Sequence, residues 1–232
     1  MGNLAIITAR GGSKRIPKKN IKEFCGKPII AYTIEAALKS GMFEEVMVST
    51  DSEDIAEIAK QYGAKVPFMR SEEAANDFAP TAKVVEEVVL SYEKEGRSFE
   101  KLCCIYPTAP FLTAERLKEA MQKLVDTNAF SVIPVVRYSF PPQRGLEIKD
   151  GVLKYIHPEH TFTRSQDLEP VYHDAGQFYC LDTKEFMKKL NLFGDTTKEI
   201  ILDEMEVQDI DTLTDWNLAE LKYRLLRQLP MV

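Results

Sequence analysis

Residues 9–20, Ala9-Arg10-Gly11-Gly12-Ser13-Lys14-Arg15-Ile16-Pro17-Lys18-Lys19-Asn20, carry side chains suited to holding an anion. From Arg10 to Lys22 stand six basic residues and no acidic one. Paired glycines let the backbone pass close to a ligand with its N–H groups turned inward. An apolar run, Leu4-Ala5-Ile6-Ile7, leads straight into them and reads as a first buried strand. A strand, a glycine turn and dense positive charge are what a nucleoside triphosphate needs. A basic run by itself is usually a solvated loop, but this one follows a hydrophobic strand and contains paired glycines. Neither G-x-x-x-x-G-K-[ST] nor G-x-G-x-x-G occurs here, so the loop belongs to another lineage of phosphate-binding loop.

A second constellation, Gln208-Asp209-Ile210-Asp211-Thr212, precedes the last helical pattern. Carboxylates at i and i+2 of an extended segment point the same way, while Ile210 faces inward. Such a pair suits Mg²⁺, which binds through one or two carboxylates plus waters and phosphate oxygens. An isolated D-x-D also allows the plainer reading that Asp211 caps the following helix. A third region joins Arg164-Ser165-Gln166-Asp167 to Tyr172-His173-Asp174-Ala175-Gly176. It reads either as a polar hairpin end or as a set of ligand contacts. His157, His160 and His173 show no firm metal-ligand spacing.

The elements that must position these groups alternate. Strand patterns cover 4–9, 45–50, 102–106, 131–137, 177–181 and 199–203, with helical periodicity over 28–40, 52–62, 80–94, 113–127 and 183–192. Gly41 closes the first helix, and Asp51 or Ser52 caps the second. This alternation predicts an α/β fold with a mainly parallel sheet covered on both faces, and ligands at the carboxyl ends of its strands. Between 138 and 174 the pattern breaks. Pro141-Pro142 stops helix formation there, and 146–156 reads as a hairpin around Asp150-Gly151, a common way to build a dimer interface. Thr212 to Leu229 reads as a final amphipathic helix with Leu213, Trp216, Leu218, Leu221 and Leu225 on its apolar side.

The 232 residues suit one domain, 1–232, with 138–174 as an insertion. A net charge of −6 argues against nucleic-acid binding and makes the basic loop a local feature. Cys25, Cys103, Cys104 and Cys180 show no zinc spacing. No signal peptide precedes the first strand, and no apolar run approaches the ~18 residues of a membrane span. A reduced, cytoplasmic protein is expected.

Ala9, Arg10, Gly12, Ser13, Lys14, Ile16, Lys19 and Asn20 fall in register with A-R-x-G-S-K-x-I-x-x-K-N, eight positions within twelve. This run resembles the signature of the CMP-nonulosonic acid synthetases, also called the CMP-sialic acid synthetase or acylneuraminate cytidylyltransferase family. Its nearest likeness is to the branch that activates pseudaminic acid. The resemblance implies a three-layer α/β/α fold of the nucleotide-diphospho-sugar transferase type. It also implies a Mg²⁺-dependent transfer of CMP from CTP to the anomeric hydroxyl of a nine-carbon acidic sugar, releasing pyrophosphate.

By that likeness Arg10, Lys19 and Asp211 carry the chemistry, and Arg10 and Lys19 sit on the phosphates. Ala9, Gly12, Ser13, Lys14 and Asn20 surround the nucleotide. Arg70 matches a position near the cytosine, although its context also fits a surface arginine. Asp209 and Asp211 hold the metal. Tyr106, Arg164, Gln166, Asp167 and His173 contact the sugar, Arg164 through the planar fork that matches a carboxylate. Relatives use the insertion to swap across a homodimer and complete the partner's sugar site.

Where sialic acid enzymes show Q-P-T-S-P, this chain has Tyr106-Pro107-Thr108-Ala109-Pro110, and Arg15 and Lys18 replace smaller residues. Those departures favour pseudaminic acid over N-acetylneuraminic or legionaminic acid. A non-catalytic nucleotide-binding protein of the same fold is the remaining alternative.

Overall fold

Alternate residues of the first strand, β1 (Asn3–Thr8), serve two different cores. Ala5 and Ile7 join one apolar cluster, and Leu4 and Ile6 join another on the opposite face of the sheet. Only a sheet covered on both sides has two cores, and the strand's uninterrupted apolar run is its signature. The computed structural model describes residues 2–76 and 79–228.

After β1 the chain makes a two-stranded ribbon, β2 (Glu23–Phe24) and β3 (Lys27–Pro28), then α1 (Ile29–Ser40), β4 (Glu45–Ser49) and α2 (Glu53–Gln61). Gly41 closes α1 at φ 64°, and Ser52 stands at the start of α2. A short helix α3 (Glu72–Ala75) and the long α4 (Thr81–Lys94) lead to β5 (Lys101–Ile105), α5 (Ala114–Thr127) and β6 (Ser131–Arg137). The insertion follows. It contains a hairpin of β7 (Leu146–Lys149) and β8 (Val152–Tyr155), with Asp150 and Gly151 both at positive φ as a tight turn requires, and it returns along β9 (Tyr172–Asp174). The chain ends with β10 (Phe178–Asp182), α6 (Thr183–Lys189), β11 (Lys198–Leu202) and α7 (Leu213–Arg227).

The main sheet runs β11-β6-β10-β5-β1-β4, with β9 pairing on β6. β1 is parallel to β4 and β5, and β11 to β6, whereas β10 runs antiparallel to β5 and β6. Five of the seven strands therefore share one direction, the mainly parallel mixed sheet expected. Helices α1, α2 and α5 cover one face through Ile34, Ile55 and Leu117, and α4 and α6 cover the other through Val88, Tyr92 and Phe186.

A third cluster joins Ile16, Phe24, Ile29, Tyr32, Phe111, Ile210 and Trp216. The Phe24 ring meets Tyr32, Trp216 and Tyr223 edge-on, with centroids 5.5–5.6 Å apart. Each such pair contributes about 0.5–1.5 kcal/mol beyond the area it buries. This cluster pins the basic loop, through Ile16, to the segment before α7, through Ile210.

Two sequence expectations are corrected. The helix expected over 183–192 stops at Lys189, because Leu190 turns left-handed (φ 49°) and Asn191 accepts the Phe193 N–H instead of continuing the ladder. On α7 the buried side is Trp216 and Ala219, while Leu213, Leu218, Leu221 and Leu225 are exposed. The aromatic cluster lies about half a turn away from the leucines and sets which face turns inward. Leu229, the expected end of this helix, lies outside the described residues.

Candidate active site

At the carboxyl end of β1 the chain leaves the sheet from Ala9, whose N–H donates to the Ser49 carbonyl of the neighbouring β4 (3.0 Å). Ala9 is fully buried among the core apolar residues. Its side chain therefore serves packing: it is not among the residues that line the cleft, and its small size lets the loop depart tightly against the core. The next residues form one wall of a cleft of about 520 Å³ lined by Arg10, Gly12, Ser13, Lys14, Arg15, Lys19 and Asn20.

Side chains from outside the loop hold its shape. The Gly11 N–H donates to Asp51 Oδ1 (2.7 Å), and Lys18 Nζ pairs with Asp54 Oδ2 (2.7 Å), which ties the loop to the start of α2. Asn20, almost fully buried, donates from Nδ2 to the Arg10 carbonyl (2.8 Å). Its expected nucleotide contact thus comes with a structural duty, closing the loop on itself. A Cβ added at Gly11 would lie 3.1 Å from Ser52 Cβ, whereas one added at Gly12 would meet nothing within 4 Å. Gly12 faces the open cleft, where a ligand can approach its backbone.

Arg70 forms the far side of the cleft and is 8% exposed. Nε donates to Ser49 Oγ (3.0 Å) and Nη2 to the Ser49 carbonyl (2.6 Å). Burial lowers its pKa, against the pull of Asp51 and Glu87. The surface reading is therefore excluded: this is a fixed cation at the edge of the cleft. Beside it, Tyr106 OH shares a hydrogen bond with Thr81 Oγ1 (3.1 Å), and burial raises its pKa, so the phenol stays protonated.

Tyr106 and Thr108 also line a second cavity of about 470 Å³, which shares this wall with the first. Its other walls include Arg137, His173, Asp174, Gln177, Asp209 and Lys222. Tyr179 OH donates to Asp174 Oδ2 (2.7 Å), and buried Gln177 donates to the Glu206 carbonyl (2.6 Å). His173 packs against Tyr138 with ring centroids 4.7 Å apart. Two adjoining cavities, one strongly basic and one mixed, are the arrangement that joining two substrates requires.

The Asp209–Asp211 segment runs along the seam between them. Ile210 is buried in the third cluster, leaving Asp209 in the second cavity and Asp211 facing the basic loop. Asp211 Oδ1 accepts from Arg15 Nη2 (2.8 Å) and lies 3.6 Å from Lys19 Nζ, which also donates to the Ile210 carbonyl (2.7 Å). Asp211 does not cap α7. Thr212 and Asp215 do so through a reciprocal capping box.

Upstream, Arg116 grips Glu206 with two N–H···O bonds (3.2 and 2.8 Å) and holds its carboxyl below the usual carboxylate range. Among the described residues no cluster of three or more His, Cys, Asp or Glu side chains could hold a metal ion. Asp209 and Asp211 thus offer, among the described residues, a pair of hard oxygen donors beside an anion cleft. That donor set fits Mg²⁺, which keeps several waters and takes phosphate oxygens.

Arg164, Gln166 and Asp167 are not brought into either cavity. They stand exposed on the insertion, where Arg164 Nε pairs with Asp167 Oδ2 (2.8 Å). Within one chain they line neither the nucleotide cleft nor the second cavity. Sequence reasoning missed Thr81, Arg137, Gln177 and Lys222. None sits in a motif: Thr81 opens α4, Arg137 ends β6, Gln177 precedes β10 and Lys222 lies on α7, so only the tertiary fold brings them to the two cavities.

Residues 4–205 match the protein family described as Cytidylyltransferase. The chain is 40% identical over 225 residues to the pseudaminic acid cytidylyltransferase of Campylobacter jejuni, covering 97% of each. It is 36% identical over 228 residues to the CMP-N,N'-diacetyllegionaminic acid synthase of Legionella pneumophila, covering 94% of each. In fold it is similar to a CMP:2-keto-3-deoxy-manno-octonic acid synthetase solved with CTP, at a TM-score of 0.69 and 17% identity, over 99% of this chain and 100% of that one.

Proposed function

This chain belongs to the cytidylyltransferase family, and from that premise we propose that it transfers CMP from CTP to the anomeric hydroxyl of pseudaminic acid, releasing pyrophosphate. The likeness to the Campylobacter jejuni enzyme over nearly the whole of both chains carries this reading. The adjoining cavities support it, one suited to a triphosphate and the other to a polar sugar acid.

CTP enters the first cleft with its phosphates against the loop. Arg10 forks onto two oxygens, Lys19 supplies a point charge, and the N–H beside Gly12 approaches a third. Charge-assisted bonds of this kind contribute about 1.5–3 kcal/mol each. Arg70, immobilised on Ser49, faces the base end. The sugar lies in the second cavity, where the protonated Tyr106 phenol at the shared wall orients it toward the α-phosphate. Little covalent chemistry is left to the protein. The rate comes from neutralised charge and an in-line approach of two held substrates.

Asp211 and Asp209 are the residues that would hold Mg²⁺, which when bound neutralises developing phosphate charge. The insertion serves a homodimer: Phe140, Ile148 and Phe162 are 88%, 78% and 98% exposed, an apolar arm suited to a second copy. Across that interface Arg164, Gln166 and Asp167 reach the partner's sugar cavity. Four free thiols, three of them buried, suit a reducing cytoplasm.

Pyrophosphate release from CTP, assayed with pseudaminic, legionaminic and N-acetylneuraminic acids in turn, tests the assignment. Preferred turnover of pseudaminic acid supports it. Equal or faster turnover of either other sugar overturns it.

A further inference from the structure

Arg15 lies between the nucleotide cleft and the candidate metal carboxylate, and its function there follows from three observations. First, its guanidinium donates to Asp211 Oδ1 at 2.8 Å, the same oxygen that lies 3.6 Å from Lys19 Nζ. Second, the two cations differ in freedom. Lys19 is largely buried and its Nζ is already committed to the Ile210 carbonyl, whereas the Arg15 side chain is 66% exposed. Third, the neighbouring Ile16 is sunk in the aromatic cluster with no exposed surface, so the root of Arg15 is fixed while its guanidinium can move. Arg15 also lines the cleft itself.

We infer that Arg15 acts as an internal stand-in for the divalent ion: it covers Asp211 before nucleotide binds and transfers to the triphosphate when nucleotide arrives. The inference rests on the reading of Asp211 as a metal ligand. An exposed ion pair of this kind is weak and readily exchanged. A triphosphate offers the fork more charge and a better geometric match than one carboxylate does. Until that exchange, a divalent cation approaching Asp211 meets a guanidinium on the oxygen it needs and an ammonium close by. Metal therefore enters with the nucleotide rather than before it. Arg15 is a positioning residue in this scheme, and it sets the order of binding.

Manganese(II) binding, followed by loss of the free-ion electron paramagnetic resonance signal, tests this on the whole protein without turnover. In the absence of nucleotide, Arg15→Gln binds Mn²⁺ about tenfold more tightly than the unsubstituted protein, the size expected for removing one nearby unit charge. Arg15→Lys, which keeps the charge, returns most of the way toward the unsubstituted affinity. With saturating CTP and no sugar, the difference between Arg15→Gln and the unsubstituted protein falls to within about threefold, because the guanidinium has already left Asp211. The gain disappears in Arg15→Gln/Asp211→Asn.

Equal Mn²⁺ affinity of Arg15→Gln and the unsubstituted protein without nucleotide, with CTP-dependent Mn²⁺ binding intact, overturns the inference and leaves the metal reading standing. A gain that persists in the double variant also overturns it, since the ion then binds elsewhere. Absence of Mn²⁺ binding even with CTP overturns the metal reading and this inference together.

Discussion

Alanine substitutions at the two adjacent glycines of the basic loop separate its folding role from its binding role. At Gly12 a new methyl group meets nothing within 4 Å and no positive φ forbids it. Gly12→Ala therefore leaves stability unchanged or raises it by about 0.4–1 kcal/mol through the unfolded chain. The same methyl projects into the 520 Å³ cleft, where a phosphate would otherwise approach the backbone. Losing one charge-assisted bond of about 1.5–3 kcal/mol weakens CTP binding by about 10- to 150-fold.

Gly11→Ala behaves in the opposite way. Its methyl would stand 3.1 Å from Ser52 Cβ and would push the loop off the Asp51 carboxylate. A cost of about 1–2 kcal/mol follows, which lowers the melting temperature by about 2–8 °C in a chain of this size. Calorimetric titration with CTP and thermal unfolding of both variants give the four numbers required. Undiminished CTP affinity in Gly12→Ala, or a melting temperature as depressed as that of Gly11→Ala, would refute the placement of phosphates against Gly12.

Other substitutions reach different parts of the same arrangement. Asn20→Ala removes the hydrogen bond to the part-buried Arg10 carbonyl and costs about 0.5–1.5 kcal/mol, read by denaturant unfolding, with a fall in CTP affinity because Arg10 is held less firmly. Arg70→Lys cannot reproduce the forked contact with Ser49, and KM for CTP rises at least about fivefold while KM for the sugar changes little. The Glu206 carboxyl, held down mainly by Arg116, contributes stability that is complete above its ordinary value of 4.5 and is lost as pH falls through its lower folded value. Arg116→Gln removes that acid-side slope from a plot of unfolding free energy against pH; an unchanged slope rules out the Arg116–Glu206 contact as its source.

The sheet was legible because its strands are buried on both faces and its helices carry one apolar stripe each, so strand and helix bounds fall within a residue or two of the expected ones. The exceptions are local. α6 ends early at a left-handed leucine, and α7 turns its tryptophan rather than its leucines inward, a choice set by an aromatic cluster that no helical period encodes. In the site, residue type and motif single out Arg10, Lys19 and Arg70, which line the first cleft, and Asp211, which meets Arg15 and Lys19. What spacing cannot supply is which neighbour each one touches. Asn20 supports the Arg10 carbonyl, Ala9 is packing, and Asp211 is covered by Arg15. Arg164, Gln166 and Asp167 were read as ligand contacts from a motif, but the path of the insertion takes them away from their own chain's cavities.

The central claim is that the cations after β1 hold a triphosphate. Calorimetric titration of CTP, with Mg²⁺ present, into the unsubstituted protein and into Arg10→Gln/Lys19→Met measures it directly. The account predicts saturable binding in the first and a loss of at least about a hundredfold in the second, each lost charge contact contributing about 1.5–3 kcal/mol, with the circular dichroism spectrum unaltered. Equal CTP affinity in the two proteins would contradict it.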